Sequence, residues 1–300
     1  MKKEKGNWKP LKILSLFDWM SCGQQAITNL WIKDYIYYSS EIDKYAIQVT
    51  QENFANTIQI WDVTKVWWYK DIDLLLWWSP CQWFSFAWKQ LNFEDERSKL
   101  FFEYVRILKE VKPKYFLLEN VRMKKEYQDV ISEHLFWIQP ILLDSVRLTA
   151  QNRKRLYWVW KLQEDWTYKQ VEIKQPEDKG ILLKDILEEN VDEKYYLKEE
   201  QYKRLKDYWS KSSFWWKINI EKASCLLASY WKVSWNWWKI KDNKWIRIFT
   251  ENEAERLQWV KYNYTSCVSN SQRYKMLGNW WTIPIIEHIL KSILISDYKE

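Results

Sequence analysis

The side chains best placed to do chemistry begin with a single thiol. In the stretch Ile72–Ala87 (IDLLLWWSPCQWFSFA) an apolar run, Ile72 to Leu76, stops at Ser79-Pro80-Cys81-Gln82, and an aromatic-rich loop follows. A buried strand that ends at Pro-Cys presents a thiol at the carboxyl edge of a sheet, where open α/β folds carry their reactive groups. A lone cysteine beside a turn proline is more often a packed core residue, so the catalytic reading needs partners. Glu119-Asn120 follows a second apolar run, Tyr115–Leu118, and Gln151-Asn152-Arg153-Lys154-Arg155 forms a polar turn between two more. In an extended segment Arg153 and Arg155 point to one face, because side chains alternate. Each has an ordinary alternative: a turn or N-cap pair for Glu119-Asn120, phosphate contact for the arginines.

A second set of polar residues lies at three successive strand ends. Asp18-Trp19-Met20-Ser21-Cys22-Gly23 forms a tight turn after Leu11–Phe17, Glu41 follows Ile36–Ser39, and Asp62 follows Thr57–Ile60. A turn after a first strand brings backbone N–H groups and a helix N-terminus to a ligand. Acids after strands two and three suit ribose hydroxyls and an adenine amino group, the layout of a nucleoside cofactor across strand ends. Singly, Asp18 and Asp62 could cap helices and Glu41 could be a solvated charge.

The elements that must hold these groups alternate. Strands are expected at Leu11–Phe17, Ile36–Ser39, Thr57–Ile60, Ile72–Leu76 and Tyr115–Leu118, then at Ile138–Leu148 and Leu156–Trp160. Helices are expected at Gln24–Leu30, Asp43–Asn53, Ser98–Val111 and Lys124–Leu135. That alternation predicts an α/β fold with a parallel, doubly wound sheet. Beyond Lys161 the pattern gives way to charge runs, one helix (Lys198–Tyr208) and scattered aromatics, which suggests a separate small domain over 162–245. Regularity returns at Thr250–Gln258 and in a terminal helix, Ile283–Ile293.

Composition sets outer limits. Three hundred residues fit one large α/β domain with a smaller unit, and the formal charge of +7 is compatible with a polyanionic partner. Four dispersed cysteines (Cys22, Cys81, Cys225, Cys267) and two histidines argue against a disulfide framework and a Cys/His metal site. No 18-residue apolar run and no secretory leader are evident, so the expectation is a cytosolic chain without a membrane span or metal.

These motifs, in this order, resemble the cytosine-C5 DNA methyltransferases. The family's Phe-x-Gly reads Phe17-Asp18-Trp19, and its Gly-Gly-Ser-Pro-Cys-Gln-Gly-Phe-Ser reads Trp77-Trp78-Ser79-Pro80-Cys81-Gln82-Trp83-Phe84-Ser85. Glu-Asn-Val is Glu119-Asn120-Val121, Gln-x-Arg-x-Arg is Gln151 to Arg155, and Arg-x-x-Thr…Glu…Arg-Leu-Gln is Arg247, Thr250, Glu255 and Arg256-Leu257-Gln258. Gly-Asn-Gly…Pro closes the chain as Gly278-Asn279-Trp280-Trp281…Pro284. The resemblance implies a Rossmann-like S-adenosylmethionine-dependent fold, with 1–161 binding the cofactor, 162–245 recognising the target and 246–300 completing the catalytic domain. It implies Cys81 as nucleophile at cytosine C6, Glu119 at N3 and the exocyclic amino group, and one of Arg153 and Arg155 at O2 while the other braces the site.

Phe17, Asp18, Met20, Gly23, Glu41, Ile42, Asp62, Val63, Pro80, Leu100, Asn279, Trp280 and Trp281 would meet S-adenosylmethionine. Ser79, Gln82, Ser85, Asn120 and Gln151 would meet a base flipped out of the duplex, with Gln82–Phe93 as the closing loop. Lys211, Lys217, Lys222, Lys232, Lys239, Lys241 and Lys244 would face phosphates. The expected partner is double-stranded DNA, the expected state a monomer, and the setting a bacterial cytoplasm or phage-infected host. RNA as substrate, or a non-catalytic DNA-binding relative, are the alternatives.

Where the motifs depart from the family they do so by tryptophan in place of glycine. The chain has 4 Gly and 25 Trp, against about 21 Gly expected at ordinary usage. The pattern predicts UGA codons decoded as glycine in the source; deliberate substitution is the rival. A polypeptide carrying true tryptophan at a dozen glycine-type turns, at about 1–3 kcal/mol each, is expected to be impaired or unfolded.

Overall fold

The computed structural model describes residues 9–66, 69–78, 96–210, 221–230 and 239–298. By internal contacts the chain forms two compact units: residues 1–143, 154–175 and 286–300, and residues 144–153 with 176–285. The stretch 246–300 is thus divided between them, with 246–285 in the second unit, and 162–175 lies in the first.

In the first unit the sheet runs β3-β2-β1-β4-β5-β7-β6. The strands are β1 (Leu11–Leu16), β2 (Tyr35–Ser40), β3 (Ile58–Gln59), β4 (Leu74–Trp78), β5 (Tyr115–Val121), β6 (Ile141–Asp144) and β7 (Lys154–Leu162), and β8 (Tyr168–Gln170) pairs with β7. β3, β2, β1, β4 and β5 are mutually parallel and β7 is antiparallel to β5. The central strands are short apolar runs because a strand covered on both faces has no polar side to show. Leu14, Leu16, Leu75, Trp77, Phe116, Leu118 and Trp158 share one core with Tyr104 and Leu108 of α3 (Glu96–Val111). Each such side chain contributes about 1.5–3 kcal/mol by leaving water.

α1 (Cys22–Asn29), α2 (Lys44–Asn53) and α4 (Lys125–His134) complete the alternation. Asp43, expected inside α2, is its N-cap, accepting from Tyr45 N at 2.9 Å. The strand expected over Ile138–Leu148 is only β6, because the Asp144 carboxylate accepts from Val146 N and turns the chain into a 3₁₀ segment.

The second unit holds α5 (Glu199–Ser210), a short hairpin of β9 (Ile240–Lys241) and β10 (Ile246–Arg247), and α6 (Glu251–Gln258). α7 (Asn270–Asn279) was not foreseen: Tyr274, Met276 and Leu277 are its only large buried side chains, too few for a clear helical stripe. α6 opens on a capping box between Thr250 and Glu253. Arg247, 1% exposed, grips Glu253 at 2.7 and 2.8 Å and Asp242 at 2.9 Å, tying the hairpin to the start of α6. α8 (Ile283–Tyr298) begins in this unit and from Ile286 onward belongs to the first.

Twelve described residues other than glycine have left-handed φ, and six of them are tryptophan: Trp19, Trp31, Trp61, Trp137, Trp166 and Trp259. Two of these sit where a helix stops in the motif that favours glycine. Ile32 N bonds Ile27 O and Trp31 N bonds Thr28 O after α1; Val260 N bonds Glu255 O and Trp259 N bonds Arg256 O after α6. Trp166 follows Asp165 in the β7–β8 turn, an Asp-Gly position by geometry. All but Trp19 are exposed, so these indoles add little packing.

Candidate active site

The end of β5 carries the polar residues expected around the base. Register pairs Trp78, the last residue of β4, with Glu119. Ser79, Pro80, Cys81, Gln82 and Ser85, with the closing loop, lie outside the described residues. Glu119 is buried, and its Oε1 meets Arg155 Nε at 2.9 Å. The antiparallel β5–β7 ladder sets Arg155 opposite Val121, so Arg155 and Glu119 are diagonal neighbours on one face. Asn120 is fully buried; its Oδ1 takes the Val121 N–H at 2.7 Å, while Nδ2 has no acceptor among the described residues. A buried donor of that kind asks for a partner.

The two arginines, expected to share one face of an extended segment, hold different partners. Arg153 lies just before β7, where Asn152 N bonds Ala223 O, so strand alternation does not reach it. It donates from Nη1 to the Leu226 carbonyl at 3.0 Å and from Nη2 to the Gly278 carbonyl at 3.1 Å. Gln151 is fully buried and engaged with Leu226 N and Leu257 O. These three backbone partners, like Asn279, Trp280 and Trp281, belong to the second unit. Asn279 ends α7 and is half-buried, and Trp280 and Trp281 are buried.

The strand ends of β1, β2 and β3 fit a nucleoside. Glu41 is buried; Oε1 accepts from Ile42 N and Asp43 N and Oε2 from Trp19 N, each at 2.8 Å. A carboxylate has about four acceptor positions, so one remains on Oε2 for a hydroxyl. Asp62 uses Oδ1 on Thr64 N and Oγ1, at 2.9 and 2.8 Å. The Thr64 N–H bond holds its carboxyl below the ordinary range, leaving Oδ2 an ionised acceptor for an amino group. Ile42, though apolar, is 74% exposed beside Glu41, Val63 is buried, and Phe17 and Leu100 pack partly onto the core. Two carboxylates that each keep a free acceptor position suit ribose hydroxyls and an adenine amino group.

The turn after β1 is built rather than free. Asp18 is buried and accepts from Ser21 Oγ and, at 2.7 Å, from the Tyr37 hydroxyl. Met20 is fully buried, so these two could meet a ligand through backbone only. Gly23 leaves no room for a side chain as packed: a Cβ there would lie 2.5 Å from Leu76 Cδ1 and 2.7 Å from the Tyr37 hydroxyl, and one of them would have to shift. Tyr37 escaped sequence reading because an aromatic at an inward strand position looks like plain core.

Burial pushes the Asp18 carboxyl up, against the hydroxyls that lower it. The sign follows: a raised carboxyl pKa gives stability that is complete below the unfolded value and lost as pH rises through the folded one. Asp18→Asn keeps the shape without the charge, so its unfolding temperature relative to the parent rises between pH 4 and pH 7.5. A pH-independent difference would contradict the assignment.

One expectation for the basic face fails. Lys239 is buried, with its ammonium pushed down to about 7 by burial, so it presents no cation to a phosphate. Lys222 bonds Val146 O and pairs with Asp178 at 3.4 Å, and Lys244 pairs with Glu193. Among the described residues there is no group of three or more His, Cys, Asp or Glu that could hold a metal, and no helix long and apolar enough to cross a membrane.

A sheet of order 3-2-1-4-5-7-6 with β7 reversed is the Rossmann-like fold of S-adenosylmethionine-dependent methyltransferases. The Entamoeba histolytica methyltransferase EhMeth shares this fold, with a TM-score of 0.76 at 20% identity over 98% of this chain and 100% of that one. Residues 11–294 match the C-5 cytosine-specific DNA methylase family, and the chain belongs to it. It is 33% identical to the Type II methyltransferase M1.ScrFI of Lactococcus lactis subsp. cremoris, over 86% of this chain and 71% of that protein. It is 32% identical to the Type II methyltransferase M.NlaX of Neisseria lactamica, over 87% and 91%.

Proposed function

We propose that this chain methylates C5 of a cytosine flipped out of double-stranded DNA, with Cys81 as the nucleophile. Cytosine C5 is a poor nucleophile until a group adds at C6. The Cys81 thiolate forms the S–C6 bond, the C5=C6 electron pair moves through C4 toward N3, and Glu119, protonated at this step, donates its proton to N3. Arg155, 2.9 Å from Glu119, keeps that side chain oriented and reaches the base O2. The observation that carries this reading is that buried pair, set beside the strand end that runs into Ser79-Pro80-Cys81. S-adenosylmethionine, when bound, supplies an electrophilic methyl group on a sulfonium sulfur. Glu41 and Asp62 hold its nucleoside and the β1 turn its methionine end. Loss of the C5 proton then lets the thiolate leave and restores the aromatic ring.

The polyanion would meet a basic stretch. Leaving out the buried Lys239, nine lysines and arginines lie between Lys203 and Lys244 against three acids, and Lys211, Lys217 and Lys232 among them lie outside the described residues. Contact to phosphates from such a stretch is sequence-independent and weakens with salt. The chain is expected to act as a monomer in a bacterial cytoplasm, as partner of a restriction enzyme or alone. Bisulfite sequencing of DNA from cells expressing a glycine-restored gene tests the reading. Cytosines in one short sequence context should resist conversion. Methyl transfer to RNA, with none to DNA, would overturn it.

A further inference from the structure

In the second unit, polar contacts converge on two short backbone segments, Leu226–Ala228 and Leu277–Thr282. Arg153, 4% exposed, spans both: Nη1 reaches the Leu226 carbonyl at 3.0 Å and Cys225 Sγ at 3.1 Å, and Nη2 reaches the Gly278 carbonyl at 3.1 Å. Gln151 accepts the Leu226 N–H at 2.8 Å and donates to the Leu257 carbonyl at 3.3 Å. The next residue after Leu257, Gln258, donates to the Leu277 carbonyl at 2.7 Å and accepts from Thr282 Oγ1 at 3.1 Å. The backbones touch between these bonds: a Cβ on Gly278 would lie 2.2 Å from Ala228 N and from the Leu227 carbonyl carbon. Leu277 and Gly278 belong to the last turn of α7, whose carbonyls have no helical partners and favour a cation. A planar, forked guanidinium holds the two carbonyls in a fixed geometry, which the freely rotating donors of an ammonium do not.

We propose that Arg153 is a positioning residue: its guanidinium, with Gln151 and Gln258, clamps Leu226–Ala228 to the end of α7. The segment inside the basic stretch and the Gly278-Asn279-Trp280-Trp281 motif then move as one body. The functional consequence rests on the reading of the stretch as the DNA contact and of that motif as part of the cofactor site. Loosening the clamp weakens the hold on DNA and on S-adenosylmethionine together and leaves the chemical step largely intact.

Hydrogen exchange in the full chain reads the clamp without any activity. Arg153→Lys and Gly278→Ala should each speed exchange in both 222–230 and 274–282 by about tenfold, the scale of one lost charge-assisted hydrogen bond. Exchange in α2 stays parental. Arg153→Ala should do the same to a larger degree, and if it fails to fold the other two variants carry the readout. In methylation assays KM for DNA and for S-adenosylmethionine should each rise about tenfold on the same scale, with kcat within about threefold. Loosening of one segment alone overturns the proposal. So does a fall in kcat as steep as that of Arg155→Ala with KM unchanged. A glycine-restored parent that methylates no DNA would refute the functional reading while leaving the exchange comparison decisive for the clamp.

Discussion

Replacing Trp31, Trp61, Trp137, Trp166 and Trp259 together by glycine is expected to raise the thermal unfolding midpoint by on the order of 10–20 °C, at about 2–4 °C per kcal/mol. Tryptophan-to-glycine changes normally destabilise, since they remove the largest apolar side chain and free the backbone. Here the five residues are exposed and held at φ between 59° and 64°. A side chain in the left-handed region costs roughly 1–2 kcal/mol, and the extra freedom of glycine in the unfolded chain returns up to about 1 kcal/mol of that. A net of about 1 kcal/mol per site over five sites is comparable with the lower end of whole-domain stability, about 5 kcal/mol.

The codons are expected to follow the same division. Trp158 is buried with its indole N–H on Ser132 Oγ at 3.0 Å, whereas Trp77 and Trp160 are buried with indole N–H groups that have no acceptor among the described residues. Native buried tryptophans find a partner for that group. UGA is therefore expected at Trp77, Trp160 and the left-handed positions, and UGG at Trp158. UGG at Trp19, Trp61, Trp78 and Trp83 would refute recoding.

The second large effect lies at Glu119. Its carboxylate and Arg155 are 3% and 14% exposed, so neither charge has water to fall back on. Glu119→Ala should lower kcat/KM by about 10²–10³-fold, the scale of one lost group at a developing charge. Taking the carboxylate away from the buried Arg155 guanidinium should also lower stability. The double variant Glu119→Gln/Arg155→Met should regain most of that stability and none of the activity. Denaturant unfolding beside methylation kinetics separates the two. A Glu119→Ala protein of parental activity would remove Glu119 from the site.

Much of this was legible in the chain because strand ends speak through residue type. An apolar run that stops at an acid brings Glu41 to the end of β2 and Glu119 to the last residues of β5, whereas Asp62 lies three residues past β3. Illegible were features decided by distant partners. Arg153 and Arg155 read as a pair by alternation, yet β7 begins between them and their partners diverge. Lys239 read as a surface cation, yet it is buried against Tyr230, 5.7 Å from its ring. α7 went unseen because Tyr274, Met276 and Leu277 are its only large buried side chains and make no apolar stripe.

The central claim, a covalent bond between Cys81 and the target base, has a direct measurement. Fluorine at C5 leaves no proton to remove after methyl transfer, so the thiolate cannot depart and the adduct persists. The chain is incubated with S-adenosylmethionine and a random-sequence duplex in which 5-fluorocytosine replaces cytosine, then denatured and digested. Mass spectrometry should find methylated 5-fluorocytosine attached to the peptide containing Cys81, with none in Cys81→Ala. Methyl transfer to ordinary DNA without an adduct, or an adduct on Cys22, Cys225 or Cys267, would contradict the account.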